Sequence, residues 1–146
     1  MVVPNGISQK CRYALRAIFE LALRNSSEPV KIQDIASAQA IPPRFLEVIL
    51  AELKHAGFVE SRRGNEGGYI LAQPAEELTV GEVISFLHGG NRIFYRSTGL
   101  MGDYAFSQMW EQVRTVVLDI FNSRTFADLV AEELDKKNRY VPNYAI

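Results

Sequence analysis

The chain has 146 residues, 47% of them apolar and 23% charged, with a formal net charge of −1. That is enough for one ordinary globular core, and the single cysteine excludes an internal disulfide. No run of 18 uncharged apolar residues, no leader-like stretch and no Cys/His cluster of zinc-finger spacing is present, so the chain reads as a cytoplasmic, non-membrane protein.

Ser8 is placed to cap a first helix, in which Cys11, Ala14/Leu15, Ile18 and Leu21/Ala22 recur at helical spacing. Asn25-Ser26-Ser27-Glu28-Pro29 ends it, because Pro29 cannot continue a helix and its polar neighbours favour turns. A short second helix is expected at about Ile32–Gln39, burying Ile35 and Ala36. Pro42-Pro43 opens a third, where first-turn N–H groups have no helical acceptor to lose. Phe45/Leu46, Ile49/Leu50, Leu53 and Ala56 form its apolar set, and Gly57 stops it. Phe58 to Arg63, a glycine-rich tip at 64–68, and Tyr69-Ile70-Leu71 then read as a β-hairpin. Three short helices followed by a hairpin with arginines at its tip is the order of a winged helix-turn-helix.

Thr79-Val80-Gly81-Glu82 is a capping box for a fourth helix carrying Val83, Ile84, Phe86 and Leu87, ended by Gly89-Gly90. Residues 91–102 show no sustained period and read as a loop. A long helix is expected from about Asp103 to Asn122, with Phe106, Met109, Trp110, Val113, Val117, Ile120 and Phe121 on one stripe. Thr125 to Asp128 caps a last short helix with Leu129, Val130 and Leu134, and the tail from Lys136 to Ile146 reads as frayed. Charge is uneven along this order: residues 1–72 sum to +2 and residues 73–146 to −3. The first half is the side suited to a polyanion.

Three stretches resemble the Rrf2 family of bacterial transcription regulators. They are Ser8 to Leu23, Phe45 through Val59, and Arg63-Gly64-Asn65-Glu66-Gly67-Gly68-Tyr69-Ile70-Leu71. The Thr79–Leu87 and Trp110–Leu129 segments fit the same pattern, so the resemblance covers nearly the whole chain. It implies a mainly α fold, a winged helix-turn-helix with a β-hairpin wing and a long C-terminal dimerisation helix. Residues 1–74 are then the DNA-binding domain and residues 75–146 the linker and dimerisation helices with a short tail. The implied function is homodimeric, sequence-specific repression of transcription.

Within that frame the outward residues of the third helix are Arg44, Phe45, Glu47 and Val48, which match the positions facing DNA in relatives. Arg44 suits guanine, Glu47 the cytosine amino group, and Phe45 or Val48 a thymine methyl. A solvated helix with Phe45 in the core accommodates the same residues. Relatives often carry a polar residue where Val48 stands and a basic one where Glu52 stands. Arg62 and Arg63 precede the wing tip, Arg63 being the first choice for a narrow minor groove while Gly64 and Asn65 approach phosphates. Lys10, Arg12 and Lys31 are candidate phosphate contacts, against the ordinary alternative of solvated surface charge.

The seven-residue apolar stripe of the long helix is expected to pair with the same helix of a second copy, the alternative being an intrachain core helix. One branch of the family holds an iron–sulfur cluster through three cysteines before that helix; residues 88–110 contain none, so no such cofactor is expected. Cys11, between Lys10 and Arg12 near a helix N-terminus, is either a redox-active thiol of lowered pKa or a small packing residue. Tyr144-Ala145-Ile146 reads as a disordered end by default; the resemblance to cluster-free members of the family offers, as the alternative, capture by a sulfhydrylase, enzymes that bind C-terminal isoleucine. Expected partners are therefore double-stranded DNA and a second copy, with a small-molecule effector or a metabolic enzyme as further options. A protein-interaction regulator that keeps the winged scaffold is the competing class, separated from the first by the steep salt dependence of DNA binding. No phosphate loop, nucleophile elbow or metal-ligand cluster speaks for an enzyme.

Overall fold

The computed structural model describes residues 7–88 and 97–140. Helix α1 (Gln9–Arg24) starts where the Ser8 hydroxyl accepts from the Cys11 N–H at 3.1 Å. It ends at Asn25, whose left-handed φ of 43° turns the chain away. Helix α2 (Ile32–Gln39) packs on α1, and the buried Glu20 carboxylate joins them by accepting from Arg24 and Gln39 at 2.7 and 2.8 Å. Helix α3 (Pro43–His55) begins at a proline and buries Leu46, Ile49, Leu50 and Leu53. Gly57 follows with φ of 85°, a conformation that a side chain would strain.

Strands β1 (Val59–Arg62) and β2 (Gly68–Leu71) form the antiparallel wing, in register from Val59↔Leu71 to Arg62↔Gly68. Its root is held from outside the hairpin. Val30, just before α2, exchanges both backbone hydrogen bonds with Tyr69, at 2.9 and 2.8 Å. A Cβ on Gly68 would fall 2.2 Å from the Val30 carbonyl oxygen, so only glycine lets the two backbones close to that distance. The wing therefore has a fixed base beside α2.

Helix α4 (Val80–His88) carries the expected capping box in both directions: Thr79 N–H to Glu82 at 2.9 Å and Glu82 N–H to the Thr79 hydroxyl at 3.1 Å. Helix α5 (Asp103–Ser123) is preceded by Ser97-Thr98-Gly99, which converge on the Asp103 carboxylate. The Thr98 hydroxyl, 2.7 Å away, is the main cause that lowers its pKa. Helix α6 (Phe126–Tyr140) follows a second reciprocal box between Thr125 and Asp128. At 15 residues it is longer than the short helix expected, and Lys136 to Tyr140 belong to it rather than to a frayed tail. The charged run lacks an apolar period, yet Glu132 to Asn138 contain no helix breaker, so the helix continues through it. Gly89-Gly90, the first half of the 91–102 loop and the tail from 141 lie outside the described residues.

Ile18, Ile35, Leu46, Leu50, Leu53, Leu78, Ile84 and Phe126 are fully buried in a single cluster. The residues on either side of position 74 therefore share one core. The turn between α5 and α6 is bonded to the start of α4, through Val80 N–H to Arg124 O and Phe126 N–H to Leu78 O at 2.9 and 3.0 Å. These bonds seat the long helix on α4, beyond the winged part.

Candidate nucleic-acid interface

Once α3 turns its leucines and Ile49 inward, helical geometry leaves Arg44, Phe45, Glu47, Val48 and Ala51 outside, and all five are exposed. Phe45 is 61% exposed and Val48 58%, which places Phe45 on the surface rather than in the core. Arg44 stands on the first turn of α3.

An open cleft runs between α3 and the wing. Glu47 and Pro43 line one side, Arg62, Arg63, Gly64 and Asn65 the other, and Lys31 with Gln33 of α2 the floor. Six of the expected DNA-binding residues are thus brought together. A second cleft lies on the opposite flank of α3, where Lys10 and Tyr13 of α1 face Phe45 and Val48. It continues along Ala51, Glu52 and His55 to Phe86 of α4. Arg12 is exposed one turn into α1.

Ion pairs separate the cations. Lys10 Nζ lies 2.7 Å from a Glu52 oxygen, and Arg62 lies 3.5 Å from Glu60. Arg63 has no ion-pair partner among the described residues. The acid that stands where relatives often carry a base is therefore neutralised locally by Lys10, a candidate phosphate contact.

Gln33, Tyr13 and Phe86 belong to this surface and were not singled out by sequence. Phe86 sits inside an apolar run that reads as core, but Val83 and Ile84 already fill the inner face of α4, leaving Phe86 edge-on against Phe58 at 5.8 Å and 45% exposed. The signal for Gln33 was its outward position two residues after the exposed Lys31.

Of the two readings of Cys11, burial favours the small packing residue over the redox-active thiol. Its side chain is fully enclosed in the core between Ala14, Ile18 and their neighbours, and desolvation pushes the thiol up to about 11 rather than down. Lys10 and Arg12 are exposed, and neither charge is among the causes of that shift. The folded thiol stays protonated where the unfolded one ionises, so stability is unaffected below pH 9 and falls as pH rises from about 9 to 11. The slope approaches about 1.4 kcal/mol per pH unit in that window. Denaturation of wild-type and Cys11→Ala chains across it should show the extra decline in the wild type alone.

The stripe on α5 is open. No residue of this helix is buried; Phe106, Met109 and Ile120 are exposed, Trp110, Val113 and Val117 half-buried. Val116, at 59% exposure, extends the same apolar surface. Phe121 departs from the expectation, since it packs against the chain's own core beside the α4–α5 contact.

The pattern of the Rrf2 family, described as iron-dependent transcriptional regulators, matches residues 7–132. IscR of Pectobacterium carotovorum, an HTH-type transcriptional regulator, is 33% identical over 139 residues, covering 91% of this chain and 85% of IscR. CymR, the global cysteine regulator of B. subtilis, has a solved structure that aligns with a TM-score of 0.77 at 30% identity, over 86% of this chain and 96% of CymR. The structure of T. potens IscR aligns with a TM-score of 0.74 at 33% identity, over 87% of each chain.

Proposed function

This chain belongs to the Rrf2 family of HTH-type transcriptional regulators, and from that premise we propose that it acts in the cytoplasm as a homodimeric repressor reading a two-fold operator. The observation that supports this most is the cleft that faces Glu47 of α3 toward Arg62, Arg63 and Lys31. A reading helix and a basic, glycine-tipped wing share one concave face, the arrangement that lets a helix enter the major groove while a wing follows the adjacent backbone. The open stripe of α5 supplies a surface for a second copy, and a two-fold pair repeats the face about one duplex turn away, roughly 34 Å.

The reading includes no resident iron–sulfur cluster. Cys11 is the chain's single cysteine and lies in the core, and residues 89–96 carry no Cys, His, Asp or Glu. Among the described residues no three such side chains come together. This donor set does not fit a cysteine-ligated cluster. The enzyme-binding tail, Tyr144 to Ile146, lies outside the described residues.

The test is selection from a random duplex pool. The expected product is one sequence with two inverted half-sites about a turn apart, bound with an affinity that falls steeply with salt. Placed over a promoter, that sequence should make transcription in vitro fall as protein is added. Retention of duplexes with no common sequence would favour the scaffold reading instead.

A further inference from the structure

The two flanks of α3 differ in chemistry. Its wing-side flank presents Glu47, with Arg44 at the leading turn. Its other flank presents Phe45 and Val48 at its leading half, with Ala51, Glu52 and His55 further along. We propose that this apolar edge is a reading surface for the 5-methyl groups of thymine in the major groove, Val48 being the central contact.

An apolar side chain distinguishes few features of a base edge. In the major groove each base pair presents a pattern of donors and acceptors plus one apolar feature, the thymine methyl. Phe45, Val48 and Ala51 carry no side-chain donor or acceptor, so the polar pattern is invisible to them. Contact with a methyl removes two apolar surfaces from water together, and is the sole base-edge feature that rewards these residues over a polar reader. Their placement also matters. Val48 is shared by both stretches of the second cleft, midway between Phe45 and Ala51, and stands one residue from Glu47 in the wing cleft. A duplex that follows the wing with α3 in its major groove meets Val48 beside Glu47.

The occupant is DNA rather than another apolar surface because cations border this edge. Arg44 leads the helix beside Phe45 with no ion-pair partner among the described residues, and Lys10, which lines both stretches of the cleft, exchanges Glu52, 2.7 Å away on the same surface, for phosphate when DNA binds. An apolar strip with a positive rim is complementary to a methyl-bearing groove walled by phosphates. The proposal rests on the DNA-binding reading above and adds which base is read by which residues. A half-site should carry thymine opposite Val48, and the guanine or cytosine contacts of Arg44 and Glu47 should lie to one side of it.

The probe is the tightest duplex recovered from the random pool, resynthesised with deoxyuridine replacing one thymine at a time. That change deletes a methyl and keeps every hydrogen-bonding group and base pair. At one or two positions per half-site wild-type affinity should fall about fourfold, the factor expected for one buried carbon. The Val48→Ala chain should bind the thymine and uracil forms of that site equally. Its fold is checked by circular dichroism, and since Val48 is 58% exposed the core does not depend on it. Wild-type indifference to uracil everywhere, with the selected sequence still preferred over random duplex, overturns methyl reading and leaves DNA recognition standing. Full uracil sensitivity retained by both Val48→Ala and Phe45→Ala chains overturns the assignment to this edge. Unchanged DNA affinity in both variants, on either duplex, overturns any contact between this edge and DNA. Absence of any preferred duplex removes the DNA-binding reading itself.

Discussion

An Ile120→Glu chain is expected to sediment as a monomer and to bind a two-half-site operator at least about a hundredfold more weakly than the wild type. Ile120 is 53% exposed in the single chain and lies three residues after Val117 on the α5 stripe, so its side chain is available to a second copy. In an isologous interface each substitution acts twice, because the two-fold axis places the same residue in both protomers. Losing a buried isoleucine and confining a carboxylate in its place disfavours association by about 3 kcal/mol per site, or roughly 6 kcal/mol per dimer. That corresponds to about four orders of magnitude in the dimer constant. Operator affinity falls less steeply at high protein concentration, where DNA itself can hold two monomers side by side. Fold should survive, because no α5 residue is buried and the turn bonds at Val80 and Phe126 do not involve Ile120. Ultracentrifugation gives the oligomeric state and far-ultraviolet dichroism the helix content. A dimer of unchanged stability would show that another surface joins the protomers.

Much of this architecture was legible because the punctuation is strong. Ser8, Pro43 and the two reciprocal boxes at Thr79 and Thr125 are strong local signals, and the helices begin where those residues put them. The wing was legible from its glycines, one of which, Gly68, is required by a backbone 2.2 Å from where its Cβ would be. Side-chain environment was harder. Periodicity gave Phe45 and Phe86 helical apolar positions but could not say that Leu46, Val83 and Ile84 would fill the inner faces first. Phe121 sits on the α5 stripe by spacing, yet the contact between α4 and α5 draws it to the chain's own core. Cys11 is the clearest case. Its sequence neighbours are cations, but a helix sends adjacent residues to different faces, so Lys10 and Arg12 are exposed while Cys11 is enclosed. The pairing of Lys10 with Glu52, 42 positions apart, leaves no local trace at all.

That pairing sets the ranking of the cations on DNA. Arg63→Ala should weaken operator binding most, by about 1–2 kcal/mol per wing and hence roughly 30- to 1000-fold for the two wings of a dimer. Arg63 follows the last strand residue, is exposed beside the Gly64 tip, and has no ion-pair partner among the described residues to give up when it enters a groove. Arg62 must first leave Glu60, and Lys10 must leave Glu52, so each exchanges one ionic partner for another instead of gaining one. Exposed pairs of this kind contribute only about 0–1 kcal/mol, so the penalty is modest, but it subtracts directly from a phosphate contact of similar size. Arg62→Ala and Lys10→Ala should therefore weaken binding by smaller factors than Arg63→Ala. The salt dependence carries an independent mark of the same order. Each cation that meets phosphate releases counterions, and removing it lowers the slope of log affinity against log salt by about one. A cation already neutralised within the protein releases fewer, so Lys10→Ala should change the slope least. Titrations of the three variants at several salt concentrations decide the matter: equal losses from all three would mean that the wing tip holds no privileged position, and that the acids at 52 and 60 do not compete with DNA.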